Sequence, residues 1–227
     1  MLERPVTVVV PAFNERGNLR PVLDELVAYL PTVARGATVL VIDDGSSDGC
    51  CDDLPPGVEL IRHDRNRGLT AALRTGFFAA RTELVTWTPA DGQIPTGELG
   101  KMFAAIGDAP LLLTTYRHRP DGLVRAVMSK TLRLMLWAAI GLRQRLEGVY
   151  LFERALLDRF PLVATRSAGS IGFEIAAKTV ALGVAVRSIE IECAPRRSGT
   201  SKVANARNSV NYLDEIWEIR RSMRARR

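Results

Sequence analysis

The stretch Ala90-Asp91-Gly92-Gln93 sets a carboxylate and a side-chain amide oxygen two residues apart. In an extended segment, residues i and i+2 point to the same side, so both oxygens can face one hard cation. Two oxygens are a partial shell, which Mg²⁺ commonly completes with substrate phosphates and water. Two further loops carry acids: Pro11-Ala12-Phe13-Asn14-Glu15 and Asp43-Asp44-Gly45-Ser46-Ser47-Asp48-Gly49. Such carboxylates can accept hydrogen bonds from ribose hydroxyls and base N–H groups, with Gly45 and Gly49 letting the backbone turn tightly. The same residue types also cap helices and build turns for purely local reasons.

A fourth segment, Arg65-Asn66-Arg67-Gly68-Leu69-Thr70-Ala71-Ala72-Leu73, opens a helix with a basic, glycine-containing turn. Free N–H groups there, with Gly68 allowing close approach and arginines alongside, suit a phosphate or a diphosphate; a capped helix with a solvated start is the alternative. The two histidines, His63 and His118, lie in no strong motif and read as solvent-facing or structural. Cys50, Cys51 and Cys193 have neither disulfide-framework nor zinc spacing, so Cys50 and Cys51 read as ordinary thiols in a reducing compartment. Trp87, Trp137 and Trp217 read as core or interface anchors.

These loops need a scaffold. The chain has 227 residues, 47% hydrophobic and 25% charged, which excludes disorder, collagen and a disulfide miniprotein. Apolar runs 6–10, 39–42, 59–61, 84–87 and 111–115 read as strands buried on both faces. Between them, Leu19, Leu23, Leu26, Val27 and Leu30, then Leu69, Leu73, Phe77 and Ala80, then Leu99, Met102, Phe103 and Ile106 recur at helical spacing. That alternation predicts an α/β fold, a mostly parallel sheet flanked by helices, with ligands held beyond the carboxyl ends of the strands. Further strands are expected at 149–152 and 184–191, and helices at 173–182 and from about Asn208, the last ending in Arg220, Arg221, Arg224, Arg226 and Arg227. No repeat, low-complexity tract or long linker divides the chain, so 1–227 is expected to be one domain. Its ligand-binding half would run to about 120, its second half from about 121.

The longest apolar stretch, Leu123 to Leu142, is interrupted by Arg125, Lys130 and Arg133 and reads as one or two amphipathic helices rather than a membrane span. No basic leader with an apolar core opens the chain, so a cytoplasmic location is expected. A net charge of +6 favours an anionic partner. Nucleic acid is the weakest such option, because the basic residues are scattered and no recognition module is present.

Taken in order and spacing, Val-Val-Pro-Ala-Phe-Asn-Glu, Val-Ile-Asp-Asp-Gly-Ser-Ser-Asp-Gly, Arg-Asn-Arg-Gly-Leu-Thr-Ala-Ala-Leu and Ala-Asp-Gly-Gln resemble the family 2 glycosyltransferases. Arg197-Ser198-Gly199-Thr200-Ser201-Lys202 is similar to the Arg-x-Gly-x-Ser-Lys element of the dolichol- and polyprenyl-phosphate sugar synthases, and the resemblance runs over roughly residues 6–203. It implies a GT-A fold and an inverting transfer of sugar from a nucleotide sugar, of the GDP-mannose or UDP-glucose class, to a polyprenyl phosphate. It implies that Pro11, Ala12, Asn14, Glu15, Asp43, Asp44, Gly68, Ala90, Asp91 and Arg197 bind the donor and that Asp91 and Gln93 hold Mg²⁺ or Mn²⁺. Asp91, Arg117 and Lys202 would serve catalysis, the two basic residues through phosphate. Two positions depart from the family pattern: Pro89 stands where the metal motif usually has its first Asp, and Gln144 lies near a usual acceptor-side Asp.

A lipid acceptor would bring the protein to the inner face of a membrane as a peripheral enzyme, with the 123–142 stretch and the arginine-rich tail contacting anionic lipid. A core-packed helix and a solvated tail are the alternative. A phosphate monoester is already largely ionised at neutral pH, so its attack needs no general base. Transfer to a hydroxyl acceptor, which would need one, and sugar-nucleotide binding without catalysis are the competing readings.

Overall fold

The computed structural model describes residues 1–117, 123–167, 169–195 and 207–224, with side chains from Lys130 and Asp214 onward in the two long helices that begin at 123 and 207. Arg197, Lys202 and His118 lie outside the described residues. Chain order is β1 (Val6–Ala12), α1 (Leu19–Val33), β2 (Thr38–Asp43), β3 (Val58–Arg62), α2 (Leu69–Ala79), β4 (Leu84–Trp87), α3 (Thr96–Ile106), β5 (Leu111–Tyr116), α4 (Leu123–Ile140), β6 (Tyr150–Glu153), α5 (Leu156–Arg159), α6 (Ser170–Ala181), β7 (Val186–Ile191) and α7 (Arg207–Arg224).

The strands form one seven-stranded sheet in the order β3-β2-β1-β4-β6-β5-β7. Only β6 runs against its neighbours, pairing antiparallel with both β4 and β5. The chain winds from β1 outward to β2 and β3, then returns to place β4 on the other side of β1. The crevice beyond the ends of β1 and β4 is therefore a switch point, where open α/β sheets hold ligands.

Side chains alternate along β1. Val6, Val8 and Val10 join one core with α1 and α3, and Val9 joins the other with α2, α4, α6 and α7. The spacing read for α1 and α3 is realised: Leu19, Leu23, Leu26 and Leu30, and Leu99, Met102, Phe103 and Ile106, are all buried. Each such side chain contributes about 1.5–3 kcal/mol. The third run is not buried on both faces as expected. β3 is an edge strand with no fully buried residue, because the helices do not cover the sheet out to this edge.

α2 lies unusually close to β1 because Gly76 faces Val9, and a Cβ at Gly76 would overlap the Val9 Cγ1 atom. Gly76→Ala is expected to lower stability by about 1–3 kcal/mol through overpacking, measurable by urea unfolding.

On the same side of the sheet, α7 fastens the loop before α6. The Glu215 carboxylate, fully buried, accepts backbone N–H bonds from Thr165 (2.7 Å), Arg166 (2.5 Å) and Ser167 (2.8 Å). The Thr70 hydroxyl in α2 donates to the Ser167 carbonyl at 2.6 Å, so this loop ties α7 to α2. Burial alone would raise the Glu215 pKa, but the bonds from Ser167, Arg166 and Thr165 outweigh it and hold the carboxyl below its ordinary value. A depressed folded-state pKa gives stability that is complete above the unfolded value and is lost as pH falls through the folded one. Glu215→Gln is expected to cost about 1–3 kcal/mol at pH 7. The gap to wild type should narrow on acidification below about pH 4.5, as followed by chemical denaturation across pH.

Candidate active site

The ends of β1 and β2 are held by buried acids. Asp43 is almost fully buried; its Oδ1 accepts the Ser46 N–H at 2.8 Å and its Oδ2 lies 2.8 Å from Arg62 Nε. Asp44 Oδ1 accepts the Arg67 N–H at 2.9 Å and its Oδ2 accepts the Gly68 N–H at 2.7 Å. The His63 ring N–H at Nδ1 donates to Asp44 Oδ1 at 2.7 Å, and His63 Nε2 lies 2.9 Å from Thr75 Oγ1. His63 is thus a buried structural residue. Two of the N–H groups read as a phosphate cradle are occupied by Asp44, whose negative charge already complements the start of α2. Where the loops meet, Gly45 (φ +75°) leaves no room for a side chain, since a Cβ would lie 2.6 Å from Arg65 Cα.

The first loop is sewn to the second. Asn14 is the one non-glycine residue with positive φ (54°) among the described residues. Its N–H donates to Ser46 Oγ at 3.0 Å, and its Oδ1 accepts the Ser47 N–H at 2.8 Å. Asparagine tolerates this left-handed conformation better than most residues. Deeper in the second loop, the Cys50 and Cys51 sulfurs lie 3.6 Å apart, and the hydrogen bond from Cys51 holds Cys50 down to about pKa 7.

Between these loops opens a cavity of about 540 Å³. Pro11, Ala12 and Glu15 come to it from the end of β1, Asp44 and Gly68 from the second loop and the start of α2, and Ala90, Asp91 and Gln93 from the loop after β4. Asn14, Asp43 and Arg117 do not line it. The first two hold the loops in place, whereas Arg117 turns toward β7, with Nη1 3.6 Å from Glu192 and Nε 4.0 Å from Glu190. Pro89, at the departing position of the motif, also faces the cavity.

Asp91 is buried, and its Oδ1 accepts the Gln93 N–H at 3.0 Å across Gly92, whose φ is +72°. A turn at Gly92, rather than the extended segment expected from the sequence, brings Asp91 and Gln93 to the same cavity. The Gln93 carbonyl accepts the Ala194 N–H at 2.8 Å. This anchors the strand-exit segment after β7, three residues before Arg197, on the Asp91–Gln93 loop.

Several cavity residues carry no sequence signal of function. Phe13, Ile94, Tyr116 and Val149 are apolar or aromatic residues that a core would equally use. Trp87, read as an anchor, stands at the cavity wall with its ring edge-on to Tyr150, centroids 6.3 Å apart. Sequence spacing alone could have flagged only Tyr116, the last residue of a strand whose carboxyl end faces the switch point.

The cavity can accept a nucleotide-sized ligand, with apolar and aromatic walls for a base or sugar and oxygens for polar groups. Asp91 and Gln93 offer hard oxygen donors to a divalent cation. No group of three or more His, Cys, Asp or Glu suited to a metal occurs among the described residues, so an ion here would draw its other ligands from phosphate and water.

Comparison with known proteins gives a concordant picture. The family described as Glycosyl transferase family 2 matches residues 7–159. The chain is 26% identical over 234 residues to dolichol-phosphate mannosyltransferase of Saccharomyces cerevisiae, covering 94% of this chain and 86% of that protein. It is 28% identical over 236 residues to polyprenol monophosphomannose synthase of Mycolicibacterium smegmatis, with the same 94% and 86% coverage. Among solved structures, glucosyl-3-phosphoglycerate synthase of Mycobacterium tuberculosis, in complex with Mn²⁺, UDP and glucosyl-3-phosphoglycerate, superposes with a TM-score of 0.66 at 20% identity. That match covers 98% of this chain and 78% of the other.

The dependence of the cavity on Asp44 is open to direct test. Asp44→Asn replaces an oxygen facing backbone N–H groups with an amide that cannot accept from all of them. It is expected to cost about 1–3 kcal/mol in chemical unfolding, and nucleotide binding, read by calorimetry, should fall with it.

Proposed function

The chain belongs to glycosyl transferase family 2, and we propose that it transfers a hexose from a GDP- or UDP-sugar to a polyprenyl phosphate, with inversion. The observation that carries this reading is the switch-point cavity, where Asp91 and Gln93 share a wall with Glu15 and Ala12 nearby. The two lipid-phosphate relatives, matched over nearly the whole chain, support the acceptor class.

In this reading the base and ribose of the donor meet Pro11, Ala12, Glu15 and the Asp44 side of the cavity, and the diphosphate lies toward Asp91. Asn14 and Asp43 act by fixing the loops. Mg²⁺ or Mn²⁺, held by Asp91 and Gln93, would supply charge neutralisation to the departing nucleoside diphosphate. The acceptor phosphate, with a second pKa near 6, attacks the anomeric carbon as an anion, so a histidine base is unnecessary. That agrees with His63 being committed to Asp44 and Thr75. Arg197 and Lys202 would offset the repulsion between acceptor and donor phosphates. Arg117, at the rim of β5, would contribute to the same field if freed from Glu190 and Glu192. Among the described residues no helix is long and apolar enough to cross a membrane, and in our reading the protein works from the cytoplasmic side of a membrane surface.

A second reading, transfer to a hydroxyl of a small phosphorylated acceptor, is favoured by the fold shared with glucosyl-3-phosphoglycerate synthase. The two separate in one assay: radiolabelled sugar from a panel of GDP- and UDP-sugars, offered polyprenyl phosphate or 3-phosphoglycerate with Mg²⁺ or Mn²⁺. We expect label in the organic phase, dropping about 100-fold or more in Asp91→Asn. Label only in a water-soluble product would select the second reading, and nucleotide binding without transfer would leave a binding protein.

A further inference from the structure

α4 is amphipathic in an unusual sense. Its inner face sends Leu136 and Ile140 into the core, yet its outer face is also apolar: Leu134 is 61% exposed and Trp137 48%. Lys130, Leu134 and Trp137 follow i, i+4, i+7 spacing and share one exposed stripe. α7 packs beside α4, and on it Trp217 is 52% exposed. A groove of about 350 Å³ between the two helices is lined by Met135, Ala138, Ala139, Ile216, Trp217 and Arg220. Large apolar side chains left uncovered on adjacent helices mark an interaction site.

The charges around this surface identify the partner. Arg220 lies over the Trp217 ring at 4.9 Å, and Arg221 and Arg224 stand exposed on the same stretch of α7, with Lys130 exposed on α4. Two acids lie nearby on α7: Asp214, exposed one turn before Trp217, and Glu218, which is paired with Arg166 at 2.7 Å. Arg133 is turned to Glu147 at 3.7 Å. Tryptophans beside exposed arginines and a lysine complement an anionic lipid interface, where indole rings settle among headgroups and basic residues meet phosphate. Tryptophan and arginine also serve protein interfaces, so the excess of basic over acidic side chains around the rings is what favours an anionic lipid.

Chain connectivity links the surface to the cavity. α4 is an excursion between Tyr116 and Val149, both of which line the cavity, and α7 follows the segment that Ala194 anchors to Gln93. We infer that the outer faces of α4 and α7, carrying Leu134, Trp137 and Trp217 with Arg220, Arg221 and Arg224, form the surface by which the protein docks on an anionic bilayer. The inference rests on the lipid-phosphate reading for its purpose and on the exposed helix faces for its evidence.

The test uses the full chain and phosphatidylcholine vesicles with or without phosphatidylglycerol, read by co-sedimentation and by the shift of tryptophan emission. Wild type should bind the anionic vesicles and show blue-shifted emission. Trp137→Ser with Trp217→Ser should weaken binding at least about tenfold with an unchanged thermal midpoint, because both rings are half exposed. Arg221→Gln with Arg224→Gln should reduce the preference for phosphatidylglycerol by about fivefold per arginine. Transfer to a short-chain polyprenyl phosphate in detergent, measured alongside, should be unaffected by either pair. Wild type that ignores both vesicle types overturns the inference even if detergent transfer is intact. So does a chain that self-associates through these tryptophans and stays off vesicles. Vesicle binding lost in the tryptophan pair, without sugar transfer under any condition, upholds the surface and overturns the acceptor reading instead.

Discussion

The arrangement of the cavity depends on one carboxylate. Asp44 leaves β2, accepts from the ring of His63 just beyond β3, and accepts from two backbone N–H groups at the start of α2. Three segments far apart in sequence are thereby held at one point, and a buried acid that would otherwise be costly is satisfied on each oxygen. With that point fixed, the second loop can meet Asn14, the first loop can present Glu15, and α2 can press Gly76 onto Val9. The charge is spent on geometry, which leaves Asp91 as the carboxylate with the stronger claim on a cation.

Much of the scaffold was legible because fully buried parallel strands must be short apolar runs between turn residues, and because α1 and α3 carry clean helical spacing. β3 departs from its expected burial for a physical reason: Val58, Leu60 and Ile61 have strand composition, but burial on both faces requires helices packed over the strand, and they do not cover the sheet out to this edge. The reversal of β6 was invisible for a similar reason. Its direction is set by pairing with Leu84 to Thr86 and with Leu111 to Leu113, partners that no local pattern encodes.

The site was legible where chemistry demands rare residue combinations. Asp91 and Gln93 line the cavity through a turn at Gly92 rather than an extended segment, with Ala12 and Glu15 in it as well. Asn14 and Asp43 were recognisable as loop residues, yet sequence could not separate a side chain that touches a ligand from one that shapes the loop. Arg117 illustrates strand parity. Tyr116 looks into the cavity, so its neighbour in the extended chain looks away, toward the glutamates of β7 and beyond. The apolar walls escaped notice because Phe13, Ile94 and Val149 differ from core residues only in where the fold leaves them.

The paired anchors at Ala194 and Glu215 have a mechanical meaning. One fixes the exit of β7 to the Gln93 carbonyl, and the other fixes α7 to the loop before α6. The Ser167 carbonyl in turn accepts from Thr70, two residues from Gly68 at the cavity wall, so a load placed on α7 is carried through hydrogen bonds to that wall.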